Sequence, residues 1–170
     1  RQPLDSTEDM ALMLERAAPL TQPLAFIAPA ISAPVLAMLL SSRASGLVNC
    51  CAIGVPENAQ SEWLQDIATV SGATLVQRLT GQGLGDLRID QWGMAERLES
   101  GRGTTQAVGM LPPEEDMVRS HIQVMRANLE ATPDATQREL IGARIARLSR
   151  QACTLALADM GDEHGRMRVH

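Results

Sequence analysis

Aromatic residues are nearly absent from this chain, with two Trp, one Phe and no Tyr among 170 residues. Three rings are too few for a platform on which nucleic-acid bases stack, or for an interface built on aromatic anchors. Positive charge is also in deficit: 15 Lys+Arg face 20 Asp+Glu, giving a formal net charge of −5. Binding to nucleic acid through phosphate neutralisation is not expected on that ground. No apolar run approaches the ~20 residues that span a bilayer, and the N-terminal stretch lacks the charged-then-apolar order of a secretion signal, so no membrane partner is expected. Cysteine is scarce. Cys50 and Cys51 are adjacent, and neighbours on a strand point to opposite faces, so the three cysteines build no disulfide framework and a reducing, cytoplasmic setting is expected. Because the chain begins with Arg1 rather than Met, it is expected to be a piece of a longer protein.

What is present is aliphatic. At 45% hydrophobic and 21% charged, the composition suits a globular domain of about 100 to 150 residues with an appendage. Ser6 and Thr7 as caps, Glu8 and Asp9 in a first turn, and Met10, Met13, Leu14 and Ala17 at helical spacing predict a helix within Asp5 to Leu20. Leu24 to Ala28, opened by Pro23, is a short apolar run suited to a buried strand. Ser32-Ala33-Pro34 then caps a second helix carrying Val35, Leu36, Met38, Leu39 and Leu40 and ending before Gly46. Leu47 to Val55 reads as another strand, and Glu57 to Val70 as a helix closed by Ser71-Gly72. Thr74 to Leu79 is expected to be a strand, with loosely placed strands in the glycine-rich stretch 81 to 109. Alternating strands and helices imply an α/β class. Beyond Pro112-Pro113 the pattern changes. One helix with Val118, Ile122, Met125 and Leu129 on a face, and another with Leu140, Ile141, Ile145 and Leu148, flank the break Ala131-Thr132-Pro133-Asp134, which predicts an antiparallel helical hairpin over 114 to 149. Cys153 to Ala158 is expected to be one more strand and Gly161 to His170 a mobile end.

Catalytic signals are sparse. His121, His164 and His170 are far apart and, like the cysteines, show no paired ligand spacing, so no metal site is expected and the histidines read as surface residues. Gly81-Gln82-Gly83-Leu84-Gly85 fits no phosphate-binding fingerprint and reads as a loop. No catalytic residue can be named. The aliphatic faces of the first two helices remain, and periodicity alone assigns them to a core.

The run Leu64 to Thr74, LQDIATVSGAT, closely resembles L-Q-D-I-A-T-L-T-G-G-T of group I chaperonins, the GroEL family. Gln22 to Ala28 is similar to the family's K-P-L-L-I-I-A strand. Ala95-Glu96-Arg97-Leu98 after Trp92-Gly93, followed by Thr104-Thr105, resembles L-G-x-A-K-R-V and D-T-T-T. Ile122 to Asp134 and Arg138 to Leu148 are similar to A-Q-I-R-Q-Q-I-E-E-A-T-S-D and R-E-K-L-Q-E-R-V-A-K-L. These four matches fall in one order, and the resemblance as a whole covers essentially Asp5 to Leu157.

The resemblance implies an apical-domain-like layered β/β/α fold over residues 1–109, lacking its N-terminal part, with the return segment of the intermediate domain over 110–170. It implies a groove between two helices that captures non-native polypeptides. Thr7, Ala11, Leu14, Glu15 and Ala18 fall on the first groove helix, Ala11 and Leu14 standing where the family has client-contacting leucines. Leu36, Ala37, Leu40, Ser41 and Ser42 fall on the second. No cofactor is implied for this segment, while ATP and magnesium, a ring of identical or related subunits and a co-chaperonin lid would belong to the longer parent. Several departures are visible. Ala11 and Ser41 are smaller or more polar than the family's residues, which predicts a shallower groove. The family's K-A-P-G-F-G-D loop is replaced by the shorter Ile53-Gly54-Val55-Pro56-Glu57-Asn58. Gln137 stands where the family has the aspartate that supports ATP hydrolysis, and an amide cannot supply its charge. Arg150 and Gln151 replace a glycine pair. A divergent paralogue is expected.

Three readings follow. In the first, the chain is the polypeptide-binding module of a folding chaperonin. The second makes it a degenerate chaperonin-like scaffold binding one dedicated protein partner without ATP-driven folding. The third makes it a small-molecule enzyme using 81 to 85 as a ligand loop. Competition among unrelated unfolded proteins separates the first two, and ligand-dependent thermal stabilisation tests the third.

Overall fold

The structure is a computed structural model and describes residues 3–55, 60–77, 83–101, 104–110, 115–149, 153–156 and 167–168. Helix and strand are mixed, consistent with the α/β class, and the chain divides into two compact units. Unit 1 comprises residues 1–65 and 74–92, and unit 2 comprises residues 66–73 and 93–170.

In unit 1, helix α1 spans Thr7–Ala17. Its start is fixed by Ser6, whose hydroxyl accepts from the Asp9 amide at 3.1 Å, satisfying one of the amides a helix start leaves unpaired. Pro19, just past the last turn, keeps the helix shorter than the Asp5 to Leu20 stretch that periodicity outlines. Strand β1 is Leu24–Ala28, helix α2 is Ala33–Ala44 and strand β2 is Cys50–Gly54. Ser32 caps α2 with Pro34 in its first turn, and Gly46 ends it at φ 73°, a left-handed conformation that glycine adopts without penalty. β1 and β2 pair in parallel from Leu24↔Cys50 to Ala28↔Gly54, with α2 as the crossover between them. Residues 47–49, which composition assigns to this second strand, precede the ladder.

Met10, Met13, Leu14 and Ala17 of α1 join Val35 and Leu39 of α2, Phe26, Val48, Cys50 and Leu87 in one core. Met10 and Val35 have no solvent exposure. Two 3-10 turns, Leu84–Asp86 and Ile89–Gln91, complete the unit. The strand expected over Thr74 to Leu79 does not form at 74–77, where the Thr74 amide donates to the Gln91 carbonyl instead of to a ladder neighbour. Residues 78 and 79 lie outside the described residues.

Helix α3, Gln60–Ser71, begins in unit 1 and ends in unit 2, closing at Gly72 with φ 76°. Unit 2 contains strands β3 (Ala95–Gly101) and β4 (Thr104–Met110), helices α4 (Glu115–Ala131) and α5 (Ala135–Ser149), and strands β5 (Cys153–Ala156) and β6 (Met167–Arg168). The strands form an antiparallel sheet in the order β5-β4-β3-β6. Asp134 starts α5 by accepting from the Thr136 amide at 3.0 Å, and α4 and α5 pack on one another across the link 132–134. Val118 and Met125 of α4 and Leu148 of α5 are buried, as are Ile67, Ala68, Val70 and Ala107, while Leu140, expected on the inner face, is exposed. Gly93 is required by close approach, since a Cβ there would lie 2.4 Å from the Ser71 hydroxyl.

The division between units differs from the expected boundary at 109/110. Pairing of β4 with β5 draws β3 and β4 into the same unit as α4 and α5, a long-range contact that no local composition shift announces. Within the expected mobile end, Met167 and Arg168 pair with β3, and the remaining residues of 161–170 lie outside the described residues.

Candidate functional site

Helix α1 has three sides. Met10, Met13, Leu14 and Ala17 face the core. A second side, carrying Asp9, Leu12 and Arg16, is met by the segment 83–87. Arg16 Nη1 donates to the Leu87 carbonyl at 2.6 Å, and a Cβ on Gly85 would lie 2.8 Å from Asp9 Oδ1 and 3.1 Å from Leu12 Cδ1. This close approach accounts for the glycine at 85, in the run that sequence offered as a ligand loop; Gly81 and Gln82 lie outside the described residues. The third side, Thr7, Glu8, Ala11, Glu15 and Ala18, remains open, with only Ala11 half-buried.

Helix α2 is apolar nearly all round, so burying one face leaves aliphatic groups on the other. Val35, Leu39 and Ser42 point inward. Leu36 and Leu40, one turn apart, are 41% and 42% exposed, and Ala37, Ser41 and Ala44 are exposed beside them. α1 and α2 pack against each other over the shared core, so both open sides belong to one unit.

The expected contact residues therefore separate. Thr7, Ala11, Glu15, Ala18, Leu36, Ala37, Leu40 and Ser41 retain solvent access. Leu14 is only 5% exposed and belongs to the core, and Ser42 is buried with its hydroxyl unpartnered among the described residues. Periodicity locates an apolar face but does not choose between neighbours at its edge, and Leu14 sits at that edge. Leu12 and Leu47 are exposed aliphatics that sequence reasoning passed over. Leu12 falls outside the Met10–Met13–Leu14–Ala17 stripe, which was itself a signal, and Leu47 was absorbed into an expected strand. Such a face can accept apolar side chains without directional bonds, each Leu or Met contributing roughly 1.5 to 3 kcal/mol at most.

The thiols near this core are quiet. Burial pushes the Cys50 thiol up, and burial, with Cys50 adjacent, pushes Cys51 up to about 11, so both stay protonated at neutral pH. Cys50 Sγ lies 3.5 Å from the Leu39 carbonyl.

Unit 2 contains a charged constellation that sequence did not reveal. Arg144 of α5 holds the buried Asp66 of α3 with two bonds, Nε to Oδ2 at 2.9 Å and Nη2 to Oδ1 at 2.8 Å. His121 Nε2 of α4 lies 3.1 Å from the same Oδ1. His121, read from sequence as a surface histidine, is thus partly buried against a carboxylate. Gln137 is exposed in the first turn of α5.

Mixed α/β units with an open aliphatic helix face define the class of module present here. Against known proteins, no family model matches the chain. It is similar to the RuBisCO large subunit-binding protein subunit alpha, chloroplastic, of Chlamydomonas reinhardtii, with 29% identity over 150 residues covering 87% of this chain and 26% of that protein. The chain thus spans about a quarter of the length of the curated relative it matches. This distant similarity over most of the chain supports a relationship to chaperonins. No described helix is long and apolar enough to cross a membrane.

Proposed function

We propose that the chain is the polypeptide-binding portion of a divergent chaperonin, with unit 1 carrying an apical-domain-like fold and the α4–α5 pair serving as a helical hairpin of the intermediate domain. Non-native chains bind along the outward side of α2, with Ala11, Ala18 and Thr7 of α1 as a shallow second wall. Leu36 and Leu40 carry this reading, because they are large aliphatic groups left about two-fifths exposed on a helix whose other face is packed. Clients that expose aliphatic side chains qualify, and folded ones hide them. A single surface of this size binds weakly. In a ring of subunits, avidity would add about 10² to 10⁴ in affinity. A co-chaperonin lid would compete for the same residues.

The test is Leu36→Glu with Leu40→Glu, assayed for capture of a chemically unfolded protein. Both side chains are outward, so circular dichroism is expected to remain unchanged while capture is lost. Retained capture would end the reading. Leu14→Glu, by contrast, is expected to unfold unit 1, because the side chain is in the core.

Gln137 favours the second reading, a scaffold for one dedicated partner without ATP-driven folding. The exposed amide at this position cannot carry the anionic role, so no hydrolysis step is assigned to this chain. Mutual displacement by several unrelated unfolded proteins supports the folding module; displacement by one protein alone supports the scaffold.

A further inference from the structure

We infer that the open surface of unit 1 selects polypeptide segments in which aliphatic side chains alternate with arginine or lysine; this rests on the proposed client-binding role. With two sides of α1 occupied by the core and by 83–87, its free side presents Glu8 and Glu15 two turns apart, with Ala11 between them. Asp5 is exposed just before the helix. Among the described residues none of these three carboxylates pairs with a cation. Arg16, next to Glu15 in sequence, is turned away to the Leu87 carbonyl, and Arg88 pairs with Asp90 at 3.1 Å. On α2, Arg43 is exposed one turn beyond Leu40. Among the described residues the open sides of α1 and α2 thus present three carboxylates and one guanidinium together with the aliphatic groups Leu36 and Leu40, a net charge of −2.

An apolar strip alone does not distinguish one greasy segment from another. An acidic rim does, because an anionic segment must bring like charge against Glu8 and Glu15, while a cationic one pairs with them at no cost in apolar contact. These acids are exposed, so the selection is modest and fades with salt.

The experiment measures binding of short leucine–serine peptides, carrying two arginines, two glutamines or two glutamates, to the whole chain by fluorescence anisotropy at low ionic strength. The arginine peptide is expected to bind about threefold to tenfold more tightly than the glutamine peptide, with the glutamate peptide weakest. In Glu8→Gln with Glu15→Gln, checked for fold by circular dichroism, the three are expected to converge. Equal binding of all three to the unaltered chain would overturn the charge selection and leave the client-binding role standing. Absence of binding by any leucine peptide would remove the role itself. Equal binding by an arginine peptide with its leucines replaced by serine would overturn the inference by showing attraction without apolar contact.

Discussion

Unit 1 holds α1 and α2 together through Met10, Met13, Leu14, Val35 and Leu39, whereas in unit 2 three helices converge on one carboxylate, Asp66, through Arg144 and His121. Aliphatic packing is indifferent to direction, so α2 could keep spare apolar groups on its outer face without disturbing the inner one. The bidentate pair fixes both distance and orientation, and it leaves α3, α4 and α5 one way to meet. Unit 1 is thus suited to adaptable contact and the Asp66 junction to fixed geometry.

The sharpest break of this contrast is Asp66→Ala. It removes the buried carboxylate that Arg144 and His121 share and is expected to cost about 3 to 5 kcal/mol, read from chemical denaturation. A loss below about 1 kcal/mol would show that the junction is held by its apolar neighbours instead. Next, Leu39→Ala should destabilise unit 1 by about 2 to 5 kcal/mol, while Leu36→Ala, one turn before it at the exposed edge of the same helix, should cost about 1 kcal/mol or less yet weaken client capture. Similar stability losses for the two variants would mean that α2 has no free side. The smallest effect is Ser6→Ala, which removes the α1 cap and is expected to cost about 1 kcal/mol in a melt, leaving unit 2 untouched.

Where a segment's structure is decided locally, the sequence was readable. Ser6, Ser32, Gly46 and Gly72 mark helix ends by side-chain caps or left-handed backbone, and α1, α2 and α3 lie close to where those residues put them. Leu36 and Leu40 were legible as contact candidates through the family resemblance. Thr74 to Leu79 misled because branched apolar residues make a strand only beside a partner strand, and Thr74 bonds to Gln91 instead. The unit boundary was hidden for the same reason: β4 meets β5 across a gap filled by two helices. Asp66 meets partners 55 and 78 residues away, a separation over which no spacing rule operates.

The parallel pairing of β1 and β2 has a mechanical consequence. Parallel neighbours require a crossover, and here the crossover is α2 itself, anchored at each end by a strand of the same ladder. A tethered chain tugging on α2 would therefore load both strands lengthwise, across all their rungs together, instead of unzipping them from one end. Helix α2 cannot be drawn out of unit 1 without tearing its sheet.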